Sequence, residues 1–141
     1  MSRYRYSQQR ANQRSGAVGE NVAMRALVTA GYRRIKKIHT GFVKIKGQWK
    51  PRKKVDGDLR AIEPHTGRAV LAEVKRREDK LLYSDLNPHQ RDGLTEHAEF
   101  NGIALVVWVH REGVAVMTWP IAGFEPRTSL SIKRAKELSL I

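Results

Sequence analysis

Apolar residues recur at helical spacing in Val18, Val22 and Ala26 or Leu27, so residues 16–30 are read as a first helix, with Gly31 as its stop. From Tyr32 to Ile38 the pattern becomes that of a strand. It leads into Phe42-Val43-Lys44-Ile45-Lys46, where apolar and basic positions alternate. Gly47-Gln48 then turns the chain. The return, residues 49–54, contains Pro51 and is nearly all basic, which predicts a hairpin or loop projecting from a sheet edge. Two short apolar runs, residues 59–62 and 69–72, are divided by Glu63-Pro64-His65-Thr66-Gly67, whose Pro, Thr and Gly predict a turn between paired strands.

After a charged loop, Asn87 is placed to cap a helix that has Pro88 at its first position and runs to about Phe100. Residues 103–109 form a continuous apolar run, as expected of a strand buried on both faces. Residues 114–119 predict a shorter strand and 129–140 a terminal helix.

Length and composition add bounds. The 141 residues, 40% of them hydrophobic, suit one domain with one core. Residues 1–15 are polar, rich in Arg and Gln and without apolar period, and are expected to be a flexible basic arm, leaving 16–141 as the domain. With no Cys, the chain has neither disulfides nor thiolate metal sites, and the five His lack the spacing of a zinc site. No secretory signal pattern is present, which predicts a cytoplasmic protein. P-loop, nucleotide-binding glycine and Gly-x-Ser-x-Gly motifs are absent, as are repeats.

Charge changes the picture more. The chain carries 27 Lys plus Arg against 14 Asp plus Glu, a formal +13, and before Asp56 its single acidic residue is Glu20. Basic charge concentrated in one half predicts a polyanionic partner, nucleic acid first of all, because Lys and Arg that neutralise phosphates release condensed counterions. A membrane surface fits less well, since no apolar run is long enough to span a bilayer.

Against that background the acids between Val55 and Lys75 stand out. Asp58 begins one apolar run, and Glu73-Val74-Lys75 ends the next. Alternation along a strand turns Glu73 and Lys75 to one face and Val74 to the other, so two carboxylates and an amine share the ends of neighbouring strands. Such a cluster of oxygens suits a hard divalent cation. Glu20, about one turn into the first helix, is either a further ligand or a favourable charge at the positive end of the helix dipole.

The arrangement resembles the PD-(D/E)XK nuclease superfamily. Gly57-Asp58-Leu59 matches its first acid with the following aliphatic residue, Glu73-Val74-Lys75 its second motif, and Glu20 the acid that many members carry on the first helix. Within the superfamily, Ala72-Glu73-Val74-Lys75, the segment 81–86, His89-Gln90, and Gly102 before an apolar strand are similar to the RecU-type Holliday junction resolvases. The chain departs from the pattern in two respects. Gly57 replaces the usual proline, with a second acid, Asp56, two residues before Asp58, and residues 42–54 are only a short counterpart of the RecU stalk.

The resemblance implies an α/β fold with a restriction endonuclease-like core, a mixed central sheet flanked by helices. It further implies a Mg²⁺-dependent endodeoxyribonuclease, Mn²⁺ substituting, that acts as a homodimer on branched or four-way-junction DNA in a bacterial cell or phage-infected host. Asp58, Glu73, the Val74 carbonyl and Glu20 would hold the metal, Lys75 would orient or deprotonate the attacking water or offset charge at phosphorus, and Gln90 would position the water or a phosphate. Arg14, Lys44, Lys46, Trp49, Lys50, Arg52, Lys53, Lys54, Arg76 and Arg77 are the candidate DNA contacts. Two alternatives stay open: a nuclease of the same chemistry acting on linear duplex or DNA ends, and a non-enzymatic basic DNA-binding module.

Overall fold

The computed structural model describes residues 19–38, 42–51 and 58–141, without the side chains of 42–45 and 49–51. The first helix, α1, covers residues 19–29 and buries Ala23, Ala26 and Leu27. It ends as its Gly31 predicts. Gly31 takes φ +102°, its N–H donates to Val28 O at 3.0 Å, and the Tyr32 N–H donates to Leu27 O at 3.0 Å. This Schellman arrangement needs a left-handed residue that glycine adopts without strain.

Five strands form the main sheet: β1 (Arg33–Lys37), β4 (Leu59–Ile62), β5 (Ala69–Arg76), β7 (Ile103–His110) and β8 (Gly113–Thr118), in the order β1-β4-β5-β7-β8. All neighbours are antiparallel except β5 and β7, which run parallel and are joined through helix α2 (Pro88–Glu99). The β4–β5 turn is held by Glu63. Its carboxylate accepts from the Thr66 hydroxyl and from the backbone amides of His65 and Thr66, which together keep its pKa below the usual range.

Alternation sorts the core into two layers. Leu59, Ala61, Val70, Ala72, Leu105 and Val107 face α1. Leu71, Ala104, Val106 and Trp108 face the other way, against Leu94 of α2 and Ala135 of α3 (Ile132–Leu138). Because β7 supplies both layers, it is apolar throughout. A chain that must cover a mixed sheet on both sides has few other ways to bury this pattern.

Two expectations need correcting. Residues 129–140 are not one helix: β9 (Ser129–Ser131) first pairs antiparallel with β6 (Lys80–Leu82) in a small second sheet, and α3 begins only at Ile132, where the Ser131 hydroxyl accepts the Arg134 N–H at 3.1 Å. Three-residue strands leave too short an alternation to be read from sequence. The basic hairpin, β2 (Phe42–Ile45) with β3 (Gln48–Pro51), forms a two-stranded sheet apart from the main one, and Lys46-Gly47, not Gly47-Gln48, makes the turn. Both turn residues have positive φ, 51° and 80°, the geometry that matches a two-residue loop to the strand twist.

Candidate active site

Asp58 sits one residue before β4 and extends its ladder in both directions. Its N–H donates to Ala72 O and its carbonyl accepts from the Ile38 N–H, each at 3.0 Å. Asp58 thus stays tied to both neighbouring strands just beyond the Leu59–Ala72 pair, its N–H reaching the same carbonyl that faces Leu59. One carboxylate oxygen of Asp58, Oδ2, accepts the backbone N–H of Val74 at 2.8 Å. An acid at the start of one strand is thus anchored to the main chain of the Glu73-Val74-Lys75 triplet on the next.

Glu73 is only 2% exposed. It lies opposite Val106 in the parallel register, and Lys75 lies opposite Trp108, so both belong to the layer of Leu71 and Trp108 while Val74 packs toward α1. A charged carboxylate buried to this extent is costly unless neighbouring charges or hydrogen bonds compensate it, and functional sites are where folds retain such groups.

Glu20 comes from the opposite layer. It stands in the first described turn of α1 and pairs with Lys37 of β1 at 3.5 Å, both side chains about one-third exposed. Lys37 is the cross-strand partner of Leu59, so this pair borders Asp58. Among the described residues, no three His, Cys, Asp or Glu side chains come together as a cation cluster. The structure ties Asp58 to the main chain of the strand that carries Glu73 and pairs Glu20 with Lys37. The donor set of two carboxylates and the Val74 carbonyl is hard and oxygen-only, which fits a small divalent ion that keeps several of its waters.

Gln90 is built into the start of α2. Asn87 Oδ1 accepts the Gln90 N–H at 2.9 Å and Gln90 Oε1 accepts the Asn87 N–H at 3.0 Å, a reciprocal capping box. The cap uses the carbonyl oxygen of Gln90, and the amide NH₂ remains as the donor.

Of the candidate DNA contacts, Arg76 and Arg77 end β5 and follow it. The Cβ of Arg76 lies 3.9 Å from where a Cβ on Gly19 would sit, which brings α1 to this strand end. Arg77 pairs with Asp85 at 3.2 Å and donates to Arg76 O. Lys46 is exposed at the hairpin turn. Arg14, Arg52, Lys53, Lys54, Asp56 and Gly57 lie outside the described residues, and for Lys44, Trp49 and Lys50 only the backbone is described.

Two cations that the sequence reading passed over share the face of Asp58 and Glu73. The register pairs Lys36 with Arg60 and Arg60 with Leu71, one row along the sheet from the acids, and both side chains are exposed. The one sequence signal was at Arg60, a polar position between Leu59 and Ala61; Lys36 follows Ile35 but precedes Lys37 and carries no such alternation. Which face they share became visible only with the strand register.

The chain matches no protein-family model and no curated protein sequence. Among solved structures it is similar to Hjc of Archaeoglobus fulgidus, described as a Holliday junction resolvase from an archaeal hyperthermophile. The match covers 87% of this chain and 88% of that one, with a TM-score of 0.56 and 19% sequence identity. At this identity the likeness is one of architecture. The protein has the mixed α/β fold of that resolvase, a five-stranded mixed sheet flanked by helices.

Proposed function

We propose that the protein is a divalent-metal-dependent endonuclease that cuts branched DNA. The observation that carries this reading is the bond from the Val74 amide to the Asp58 carboxylate, which ties that acid to the strand carrying the buried Glu73 and, on the same face as Glu73, Lys75. The fold shared with an archaeal junction resolvase and the formal +13 charge support the choice of substrate.

In this reading Asp58, Glu73 and the Val74 carbonyl would hold Mg²⁺, with Glu20 as an added direct or water-mediated ligand. The ion supplies a bound water of lowered pKa and neutralises charge on the scissile phosphate. Lys75 orients that water or offsets charge developing at phosphorus. Lys36, Arg60 and the basic hairpin hold the DNA backbone. A four-way junction presents two equivalent strands, so paired cuts call for two copies related by a two-fold axis.

The test compares a four-way junction with a linear duplex of the same sequence, in Mg²⁺ and in its absence. Mg²⁺-dependent cutting of the junction in preference to the duplex is expected. Equal cutting of both substrates would move the assignment to a linear-duplex nuclease, and no cutting of either with Mg²⁺ or Mn²⁺ would reduce the protein to a binding module. Sedimentation with and without junction DNA reads the dimer.

A further inference from the structure

Beyond the end of β5, the 3-10 turn Tyr83–Asp85, the first turns of α2 and the segment before β9 enclose a cleft of about 490 Å³. Its lining holds two arginines, Arg91 and Arg127, with Tyr83, Ser84 and Thr128, and no carboxylate. We propose that this cleft is a phosphate subsite for the nucleic-acid strand that passes the Asp58–Glu73 site, an inference that rests on the nuclease reading.

Three observations support it. The guanidinium of Arg91 lies 4.4 Å from the centroid of the Tyr83 ring, and that ring is fixed in turn by Trp119 and Phe124, at centroid distances of 6.5 and 5.3 Å. The cation is therefore oriented by an aromatic face. No acid among the described residues neutralises it, and its buried Nε makes no hydrogen bond. A cation so held keeps its charge for an incoming anion.

The second observation is Arg127. It has φ +70° in a turn closed by Thr128 N–H to Glu125 O at 3.0 Å, with Pro126 before it. This is a type II turn, in which glycine or asparagine ordinarily takes the left-handed position. An arginine there adopts a conformation L residues seldom take, in the wall of a cleft already lined by a second arginine.

The third is location. Asp85, the acid next to this wall, is occupied by Arg77 at 3.2 Å and by the Leu82 N–H at 2.7 Å. Arg77 follows Lys75 by two residues, about 7 Å along an extended chain. The Arg77–Asp85 pair thus ties the 3-10 turn that lines the cleft to the chain just past β5, two residues beyond Lys75.

The experiment measures binding of a labelled four-way junction over a salt series for the intact protein, Arg127→Gly and Arg91→Gln, in Ca²⁺, with cleavage in Mg²⁺ followed in parallel. Arg127→Gly relieves the backbone strain, so its Tm should hold or rise while its Kd becomes several-fold weaker and its log–log salt slope falls by about one. Arg91→Gln should lower the slope similarly. An unchanged slope and Kd in Arg127→Gly, with the fold intact, overturns the subsite even where the protein cuts junctions normally. Lost slope in a protein that cuts no DNA leaves the subsite standing and removes the nuclease reading. Thermal stabilisation by inorganic phosphate that Arg127→Gly abolishes, with an unchanged junction slope, would assign the cleft to free phosphate and overturn the strand assignment.

Discussion

The Oδ2 atom of Asp58 accepts the backbone N–H of Val74 at 2.8 Å, so the candidate acid of one strand is a structural partner of the motif on the next. A carboxylate held by a peptide N–H cannot swing freely. The bond restrains the carboxylate on the strand next to the one that carries the buried Glu73, as metal coordination by few protein ligands would require.

The two roles of Asp58 separate by substitution. Asp58→Ala removes both the ligand and the acceptor, and the abandoned Val74 N–H should cost roughly 1–3 kcal/mol of stability. Asp58→Asn keeps an acceptor, so it should lose cleavage while denaturing close to the parent protein. Melting curves set beside cleavage assays distinguish them. Asp56→Ala is expected to be much milder in both, and a lethal Asp56→Ala would transfer the ligand role to that residue.

Glu20 spends its charge on Lys37 at the border of the site, in a pair exposed enough to be worth about 0–1 kcal/mol. Glu20→Gln should therefore leave stability nearly unchanged and raise the Mg²⁺ concentration needed for half-maximal cleavage. Glu73→Gln should abolish cleavage at any Mg²⁺ concentration. Equal Mg²⁺ titrations for Glu20→Gln and the parent would remove Glu20 from the metal's surroundings.

Much of this site was legible before the fold was known, because it is local. The β4–β5 hairpin joins Asp58 to Glu73 across fifteen residues, and strand alternation orders Glu73, Val74 and Lys75. Gly31 and Asn87 marked helix ends through chemistry confined to a few residues. What the sequence withheld depends on register and distant pairing. The Lys36–Arg60 row exists only because β1 lies along β4 with a shift between Arg33 and Lys36, and the Arg91–Arg127 cleft joins residues that β6 and β9 bring together. Short strands paired across about fifty residues carry no local signature.

The Lys36–Arg60 row gives a binding prediction separate from the chemistry. Charge reversal of both exposed side chains should preserve the fold, weaken junction binding and lower the salt slope by about two. Filter binding at several salt concentrations measures it. An unaltered slope would turn the DNA path away from this face.

His110 supplies a pH dependence of stability. It is 8% exposed, its Nδ1 accepts the Glu112 N–H at 3.1 Å, and its ring meets Trp108 edge-on at 5.1 Å. Burial lowers its pKa; nearby Glu112 opposes that shift and Lys136 adds to it. Since the folded state binds the proton less readily than the unfolded chain, the stabilising contribution is complete above the unfolded value of about 6.5 and is lost as pH falls from there through the folded pKa. Melting temperatures between pH 8 and 5 should show this acid-side loss, and His110→Gln should reduce it. Identical pH profiles for the two proteins would mean that His110 does not titrate differently on folding.

The close approach of His97 to Gly102 gives the last prediction. A Cβ added to Gly102 would lie 2.3 Å from Nε2 of His97, closer than any real contact, and that ring nitrogen is already engaged with Ala69 O at 2.9 Å. The bond ties the end of α2 to the start of β5, where Arg68 also donates to Asn101 O and Gly102 O. Gly102→Ala must therefore displace the His97 ring and break its bond, costing about 1–3 kcal/mol. His97→Ala loses the same bond but opens the space, so adding Gly102→Ala to it should cost far less than in the parent. A double-mutant cycle by urea denaturation should return a coupling of roughly 0.5–3 kcal/mol, and strict additivity would show that the helix end accommodates a methyl group without moving His97.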